Sequence, residues 1–452
     1  FFSSNIEETI MLHCKWLRDY GIDGVFVQRF TSNLPSPDHL ARMDNVLKYF
    51  IKGGERYRVK VGIMYDITGT LITEISRLVI SDWIHIVRDL EITSSPAYQF
   101  HPDRKGKELP VVGIWGFGFV GEGVRGQAIL INDFFKNTKE TDLHATTLGG
   151  VPAYWRSLDR DSKPQYKEIY ESFDIISPWT VGRFSNSDNI SNWTDVIRDD
   201  LKLTGKRGQD YMAVSFPGFS ASNLVRNGNI SALKKRRAGI LYKDLIDKNN
   251  NSALNLIPRN GGNFLWSQFY HWRKAGTNLL YIAMFDEVDE GTAIFKLSEK
   301  EELATSPELF LTLDVDGFDL RSDHYLWMAG TVRFLISRMI ELPEVQPDRL
   351  DKGSMQLKRK RDSNGIIIDG NIELNILMKN FGGSYAEIFR KSDKEDLYII
   401  INKFTLENTP VTYLNFNDET TLIAEEYTYI IIIYDENGLV KAVSDMVRTS
   451  YR

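Results

Sequence analysis

The chain has 452 residues, of which 42% are apolar and 26% charged, with a net charge of −6. Its length exceeds one ordinary domain and suits a large α/β barrel with a smaller partner, so two domains are expected. The ordinary composition excludes a disordered chain, and the mildly acidic balance argues against a nucleic-acid partner, which would select a basic face.

In chain order, "TIMLHCKWLRDYG" (9–21) reads as an amphipathic helix. It carries Cys14, the only cysteine, so the chain forms no internal disulfide and no thiolate metal site. A buried structural thiol is expected there rather than a nucleophile. Seven short apolar runs follow, separated by helix-period segments: "GVFVQ" (24–28), "VKVGIMY" (59–65), "PVVGIW" (110–115), "LHATTLGG" (143–150), "DIISPW" (174–179), "YMAVSF" (211–216) and "LLYIAMF" (279–285). This alternation is that of βα units around a parallel sheet. A (β/α)8 TIM barrel needs one strand more, and because the chain opens on a helix that strand is expected upstream of residue 1.

"SDHYLWMAGTVRFLISRMIEL" (322–342) reads as the closing helix of a barrel domain over 1–343, and 344–365 as a linker. From 366 to 452 the runs are β-branched and aromatic with Asn, Asp and Gly between them, which predicts a small antiparallel β-sandwich-like domain. The basic runs "KKRR" (234–237) and "KRKR" (358–361) are expected to be a solvated helix face and part of the linker. No eighteen-residue apolar span and no signal-peptide pattern occurs, and residue 1 is Phe.

Catalytic groups of such a barrel lie at the C-terminal ends of its strands. Those ends carry Gln28 and Arg29, Tyr65 and Asp66, Trp115, and Trp179, and the segment after 150 carries Trp155 and Arg156. "IPRNGGNFLW" adds Arg259, Asn260 and Trp266 just before the last strand. That strand runs straight into four acids, Asp286, Glu287, Asp289 and Glu290. Aromatic rings beside carboxylates suit a sugar site, because pyranose faces stack on rings while carboxylates handle hydroxyls and the glycosidic oxygen. Each aromatic taken alone is more at home in a core, and only their shared position favours a site. Glu287 and Glu290, three apart, face one pocket if the segment turns helically, and their repulsion would leave one protonated as acid and the other ionised as base. A solvated acidic loop is the alternative.

Other signals are weaker. "GFGFVG" (116–121) matches a dinucleotide fingerprint but follows a mid-barrel strand, and Phe117 and Phe119 would crowd a pyrophosphate. "DVDGFD" (314–319) lacks the closing Glu of a calcium loop, the seven histidines show no paired ligand spacing, and no G-x-S-x-G elbow occurs. Neither a metal nor another cofactor is expected.

"FDEVDEGTAIF" resembles the E-x-x-E-G-T signature of glycoside hydrolase families 71 and 99, in which family 99 carries Asn-Glu-Trp-His-Glu-Gly-Thr. "YGIDGVFVQRF", "GGVPAYWRSLDRDSKP", "DIISPWTVGRF", "FPGFSASNL" and "IPRNGG" match the bacterial 71/99-like group in barrel order, so the resemblance spans about residues 1–340. It implies Glu290 as general acid and Glu287 as general base, acting through the substrate's own 2-hydroxyl with net retention at an α-mannosidic bond. Two departures touch sugar-contacting positions: Val288-Asp289 replaces Trp-His, and Tyr65-Asp66 stands where family 99 has a Glu. The expected function is a retaining, endo-acting α-glycosidase on an oligo- or polysaccharide, monomeric and periplasmic or extracellular. The alternatives are a non-catalytic carbohydrate-binding barrel, an α-1,3-glucanase as in family 71, or a hydrolase of sulfated polysaccharide with Arg29, Arg156, Arg183 and Arg259 as anion contacts.

Overall fold

The computed structural model describes residues 2–119, 123–226, 254–304, 310–395, 397–406 and 410–449. It divides into two compact units, Phe1–Arg18 with Ile22–Leu326 and Asp19–Gly21 with Trp327–Arg452. The "KKRR" run lies outside the described residues.

The first unit is a TIM-like α/β barrel. Its parallel wall runs β1 (Gly24–Phe30), β2 (Lys60–Asp66), β4 (Glu108–Trp115), β5 (Thr146–Pro152), β6 (Ile175–Trp179), β7 (Asp210–Ser215) and β8 (Leu279–Ile282), with the short β3 (Phe100–Pro102) antiparallel to β4. These are the seven strands legible in the sequence. The helices are α1 (Glu7–Asp19), α2 (Pro37–Tyr57), α3 (Ile75–Ile84), α4 (Val124–Asn137), α5 (Lys167–Ser172), α6 (Ser187–Arg207), α7 (Ser222–Arg226) and α8 (Asn263–Ala275).

Strand parity builds two cores. Alternate residues Phe26, Met64, Val111, Trp115, Leu148 and Ile175 form one cluster inside the curl. Their neighbours Val27, Ile63, Val112 and Ile114 pack outward with helix residues such as Leu47, Val79 and Phe135. Burial on both faces explains why these strands read as continuous apolar runs rather than alternations. Phe26 of β1 lies edge-on to Tyr281 of β8, centroids 6.1 Å apart, so the ends of the sheet approach one another. Cys14, fully buried in this outer layer, has its thiol pushed up to about 12 by burial, which makes it a packing group and not a nucleophile.

The second unit is a β-sandwich. One sheet has the order β10 (Met355–Arg361), β11 (Ile367–Lys379), β14 (Val411–Asp418). The other runs β13 (Ile399–Thr405), β12 (Tyr385–Ser392), β15 (Tyr427–Tyr434), β16 (Val440–Val443), β9 (Asp348–Arg349), with β17 (Val447–Arg448) on β15. Ile372, Leu374 and Ile376 of β11 meet Ile388, Ile431 and Ile433 between the sheets. The stretch 344–365, read as a linker from its charges, contains β9 and β10: Met355 and Leu357 alternate inward about Gln356, and the basic run 358–361 that follows obscured a period of two. The helix α9 (His324–Ser337), expected to close the barrel, belongs from Trp327 onward to this unit, where Phe334 packs edge-on against Phe389 and Tyr398. No helix among the described residues is long and apolar enough to cross a membrane.

Candidate active site

The acidic segment follows β8 as a closed, braced turn. Phe295 N–H donates to the Phe285 carbonyl at 2.9 Å, Met284 N–H to Thr292 at 3.1 Å, and Thr292 N–H to Glu287 at 3.1 Å, which ties the neck of the loop. Gly291 N–H donates to Val288 (3.1 Å), a turn that needs the left-handed φ of 64° at Gly291. A Cβ there would sit 2.8 Å from Leu311 Cδ1 and 3.0 Å from Ser220 Cβ. From outside, Ser220 N–H donates to the Glu290 carbonyl (2.7 Å) and Asn223 Nδ2 to the Asp289 carbonyl (3.1 Å).

Arg259 is the main brace. Only 3% exposed, it donates Nη2 to the carbonyls of Gly291 (2.9 Å) and Ala293 (2.8 Å), and its guanidinium lies 4.7 Å from the centre of the Tyr325 ring. Read from sequence as a substrate contact, it acts instead on the loop that carries the glutamates. Burial lowers its proton affinity, the expected direction for a desolvated cation.

On this frame Glu287 is half-buried, and one carboxylate oxygen accepts the Asp289 N–H at 3.0 Å. Its proton affinity is raised, first by burial and next by the charge of Glu290. Asp286 is raised as well, by burial. Glu287 and Glu290 therefore lie close enough for the charge of Glu290 to raise the cost of ionising Glu287, while Asp286 is shifted by its own burial.

Several predicted residues lie on the inner face of the barrel wall or at its rim. Trp115, 9% exposed, stacks on Phe119 (centroids 5.0 Å, planes 15° apart) and meets Trp179 edge-on at 5.6 Å. Gln28 donates to Met64 Sδ at 3.5 Å and hydrogen-bonds Tyr281, whose hydroxyl burial pushes up to about 12. Asp66 shares Met64's side of β2, its carboxylate accepting both the N–H (2.8 Å) and the hydroxyl (2.6 Å) of Thr68. Asn260 is exposed at the rim, its N–H on Asp316 at 2.7 Å. Phe119, Tyr281 and Ser220 were not singled out as site residues in the sequence; the signal for Tyr281 was its parity with the strand, and for Phe119 its place four residues after Trp115.

Other expectations are corrected by parity. Arg29 and Tyr65 project outward from β1 and β2, not into the barrel. Arg29 is fully buried and clamps Asp82 of α3 (2.8 and 2.5 Å) and Asp44 of α2 (2.9 Å), while Tyr65 donates its hydroxyl to Asp82 at 2.8 Å. Trp155 and Arg156 both bond Asp200 of α6, at 3.0 and 2.7 Å, beside Tyr211, and Trp266 is buried in α8 with 1% exposure. Arg183 is held by Asp161 at 2.6 Å. All four arginines invoked as anion contacts thus have protein partners. Among the described residues no group of His, Cys, Asp or Glu is arranged to hold a metal ion. In the 314–319 segment, Asp314 and Asp316 instead accept protein donors, from Thr312 and Asn260.

No protein-family model and no curated protein matches this sequence. Among solved structures, the chain is similar to the GH99 endo-alpha-mannosidase from Bacteroides thetaiotaomicron in complex with BIS-TRIS-propane. The two share 15% identity at a TM-score of 0.51, over 75% of this chain and 86% of that one. A second structure described as the GH99 endo-alpha-mannosidase of the same organism matches at 14% identity and a TM-score of 0.51, over 75% and 82%. At this identity the likeness establishes a common barrel fold.

Proposed function

We propose that the protein is a glycoside hydrolase, an endo-acting, retaining α-glycosidase of oligo- or polysaccharides, with Glu290 as general acid and Glu287 as general base. The observation that carries this reading is the braced turn after β8, which holds a half-buried Glu287 within electrostatic reach of Glu290 beyond the C-terminal end of the strand. Two carboxyls that repel one another retain one proton between them over a wide pH range, so one donates and the other accepts. Glu290 delivers its proton to the departing glycosidic oxygen. Glu287 takes a proton from the attacking hydroxyl, the sugar's own 2-hydroxyl in the mechanism that the resemblance implies. Trp115, Phe119 and Trp179 offer apolar plates for pyranose faces. The shared barrel of the endo-alpha-mannosidases supports an α-linked substrate. Val288, Asp289 and Asp66 leave the sugar itself open between mannan and α-1,3-glucan. The protein acts as a monomer in the periplasm or outside the cell, where such polymers are met.

A second reading exchanges the two roles, with Glu287, whose proton affinity is raised by burial and by the charge of Glu290, as the acid. The test is a product assay against α-mannans, α-glucans and sulfated polysaccharides, with the Glu287→Gln/Glu290→Gln protein as blank. Oligosaccharides released by the unmutated protein alone establish the hydrolase and its substrate. Binding without release would make the barrel a carbohydrate-binding module.

A further inference from the structure

We infer that the outer face of the three-stranded sheet is a second carbohydrate site, separate from the barrel, that holds a neutral polysaccharide chain lying across the strands. The register aligns its outward side chains in rows. Gln356, Asn375 and Asn415 stand side by side on β10, β11 and β14; Lys358, Glu373 and Asn417 form the next row, and Leu377 pairs with Tyr413 on the other side. Residues between them, such as Leu374 and Ile376, point into the sandwich core, so the outward set is fixed by strand parity.

The polar part of this face is pre-ordered. Asn375 and Asn415 both donate to Glu373 Oε1, at 3.1 and 3.0 Å. Asn415 Nδ2 and the Tyr413 hydroxyl reach Asn375 Oδ1 at 3.0 and 3.4 Å. The other Glu373 oxygen accepts none of these bonds, and the amide donations hold the carboxylate below the ordinary range, so it stays an acceptor at neutral pH. A fixed array of amides and a carboxylate is what vicinal hydroxyls require, since each hydroxyl both donates and accepts.

Beside the array lies an exposed apolar strip: Tyr413 is 67% exposed, Leu377 59% and Val411 46%. A flat phenol ring beside amides matches the alternation of apolar CH faces and hydroxyl edges along a sugar chain. The strip borders a depression of about 560 Å³ lined by Gln356, Asn375, Leu377, Lys379, Val411 and Tyr413, with residues 351–354 along its edge. Charge selects the ligand. Glu373 faces Lys358 across the strands, and Lys379, beside Lys352, pairs with Asp351 at 3.3 Å, so cations and carboxylates of this face stand opposite one another, which favours a neutral polymer over an anionic one.

The inference shares a polysaccharide ligand with the proposed function but does not depend on hydrolysis. The test uses the full chain carrying Glu287→Gln/Glu290→Gln, run through native gels containing neutral α-mannan, α-glucan or a sulfated polymer. One neutral polymer should retard it. Tyr413→Ala, or Asn375→Ala with Asn415→Ala, should weaken that retardation about tenfold, the scale of losing one anchor contact. Tyr413→Phe, which keeps the ring, should restore most of it. In the otherwise unmutated chain, Tyr413→Ala should leave hydrolysis of a small aryl glycoside unchanged. Undiminished retardation of Tyr413→Ala, or retardation by no neutral polymer, overturns the inference. So does loss of self-association on Tyr413→Ala in sedimentation, which would make the face an interface between copies. If the parent cleaves nothing yet binds through Tyr413, the hydrolytic reading falls and this one stands.

Discussion

Arg259→Met separates bracing of the catalytic turn from binding of substrate. The substitution keeps much of the side chain's bulk and removes two charge-assisted hydrogen bonds, leaving the buried carbonyls of Gly291 and Ala293 without that donor. An orphaned buried carbonyl costs about 1–3 kcal/mol. Against that, a cation only 3% exposed is no longer desolvated, which returns part of the loss. The net effect on stability is then about 1–3 kcal/mol, a fall in Tm of several degrees. Catalysis should suffer more, because Gly291 follows Glu290 directly. A shift of the carboxyl by about 1 Å is enough to cost about a hundredfold in kcat. Arg259→Lys should recover little, since an ammonium on a shorter, differently shaped stem does not reproduce the planar Nη2 group that donates to both carbonyls. Thermal unfolding and initial rates on an aryl α-glycoside measure both effects. Unchanged kcat at lowered Tm would refute the brace, and a change confined to KM would return Arg259 to the substrate-contact role that its sequence position suggested.

Three further outcomes follow from the same geometry. Glu290→Gln should depress cleavage of substrates with poor leaving groups far more than of activated aryl glycosides, and Glu287→Gln should depress both; the opposite pattern exchanges the roles of acid and base. Gly291→Ala forces a side chain into a left-handed position against Leu311 and Ser220, so activity should fall with a stability loss of about 1–3 kcal/mol; normal rates would show that the turn tolerates movement. Asp200, lifted by burial to about 6 despite bonds from Arg156, Trp155 and Tyr211, binds its proton more tightly folded than unfolded. Its contribution is therefore greatest below the ordinary aspartate range and is lost as pH rises to about 6. Asp200→Asn should flatten that part of a Tm-against-pH curve, and equal slopes in the two proteins would count against the assignment.

The fold was legible where burial on both faces made strands continuous apolar runs, as in β2, β4 and β6, and the alternation of short runs with helix-period segments located the remaining barrel strands. It was illegible at β10, where in "MQLKRKR" Met355 is buried and Leu357 half-buried before four consecutive basic residues. Snorkelling basic residues on a half-exposed strand look like a solvated linker until the partner strand is known. The helix α9 was recognised, but its neighbours were not, because an apolar helix does not specify which of two apolar surfaces it covers.

The candidate site shows the same limit at the scale of one residue. Polar groups at the end of a barrel strand come in adjacent pairs, Gln28 with Arg29 and Asp66 with Tyr65, and only one member of each faces the mouth. The other is polar for a different reason, since it ties the strand to the helices behind it, as Arg29 does to Asp44 and Asp82. A single inward anchor resolves the ambiguity: with Phe26 facing Tyr281, Gln28 must face inward and Arg29 outward, because side chains alternate along a strand. No such rule reaches beyond the strand. Trp155 and Trp266 lie on a loop and a helix, where ring chemistry alone cannot distinguish a sugar platform from a core, and both are buried. Glu287 and Glu290 were singled out for the converse reason, and their roles rest on the proposal above. Acids crowded behind an apolar strand are costly in any core and gain nothing from repelling one another, so their presence had to be explained by what they do together.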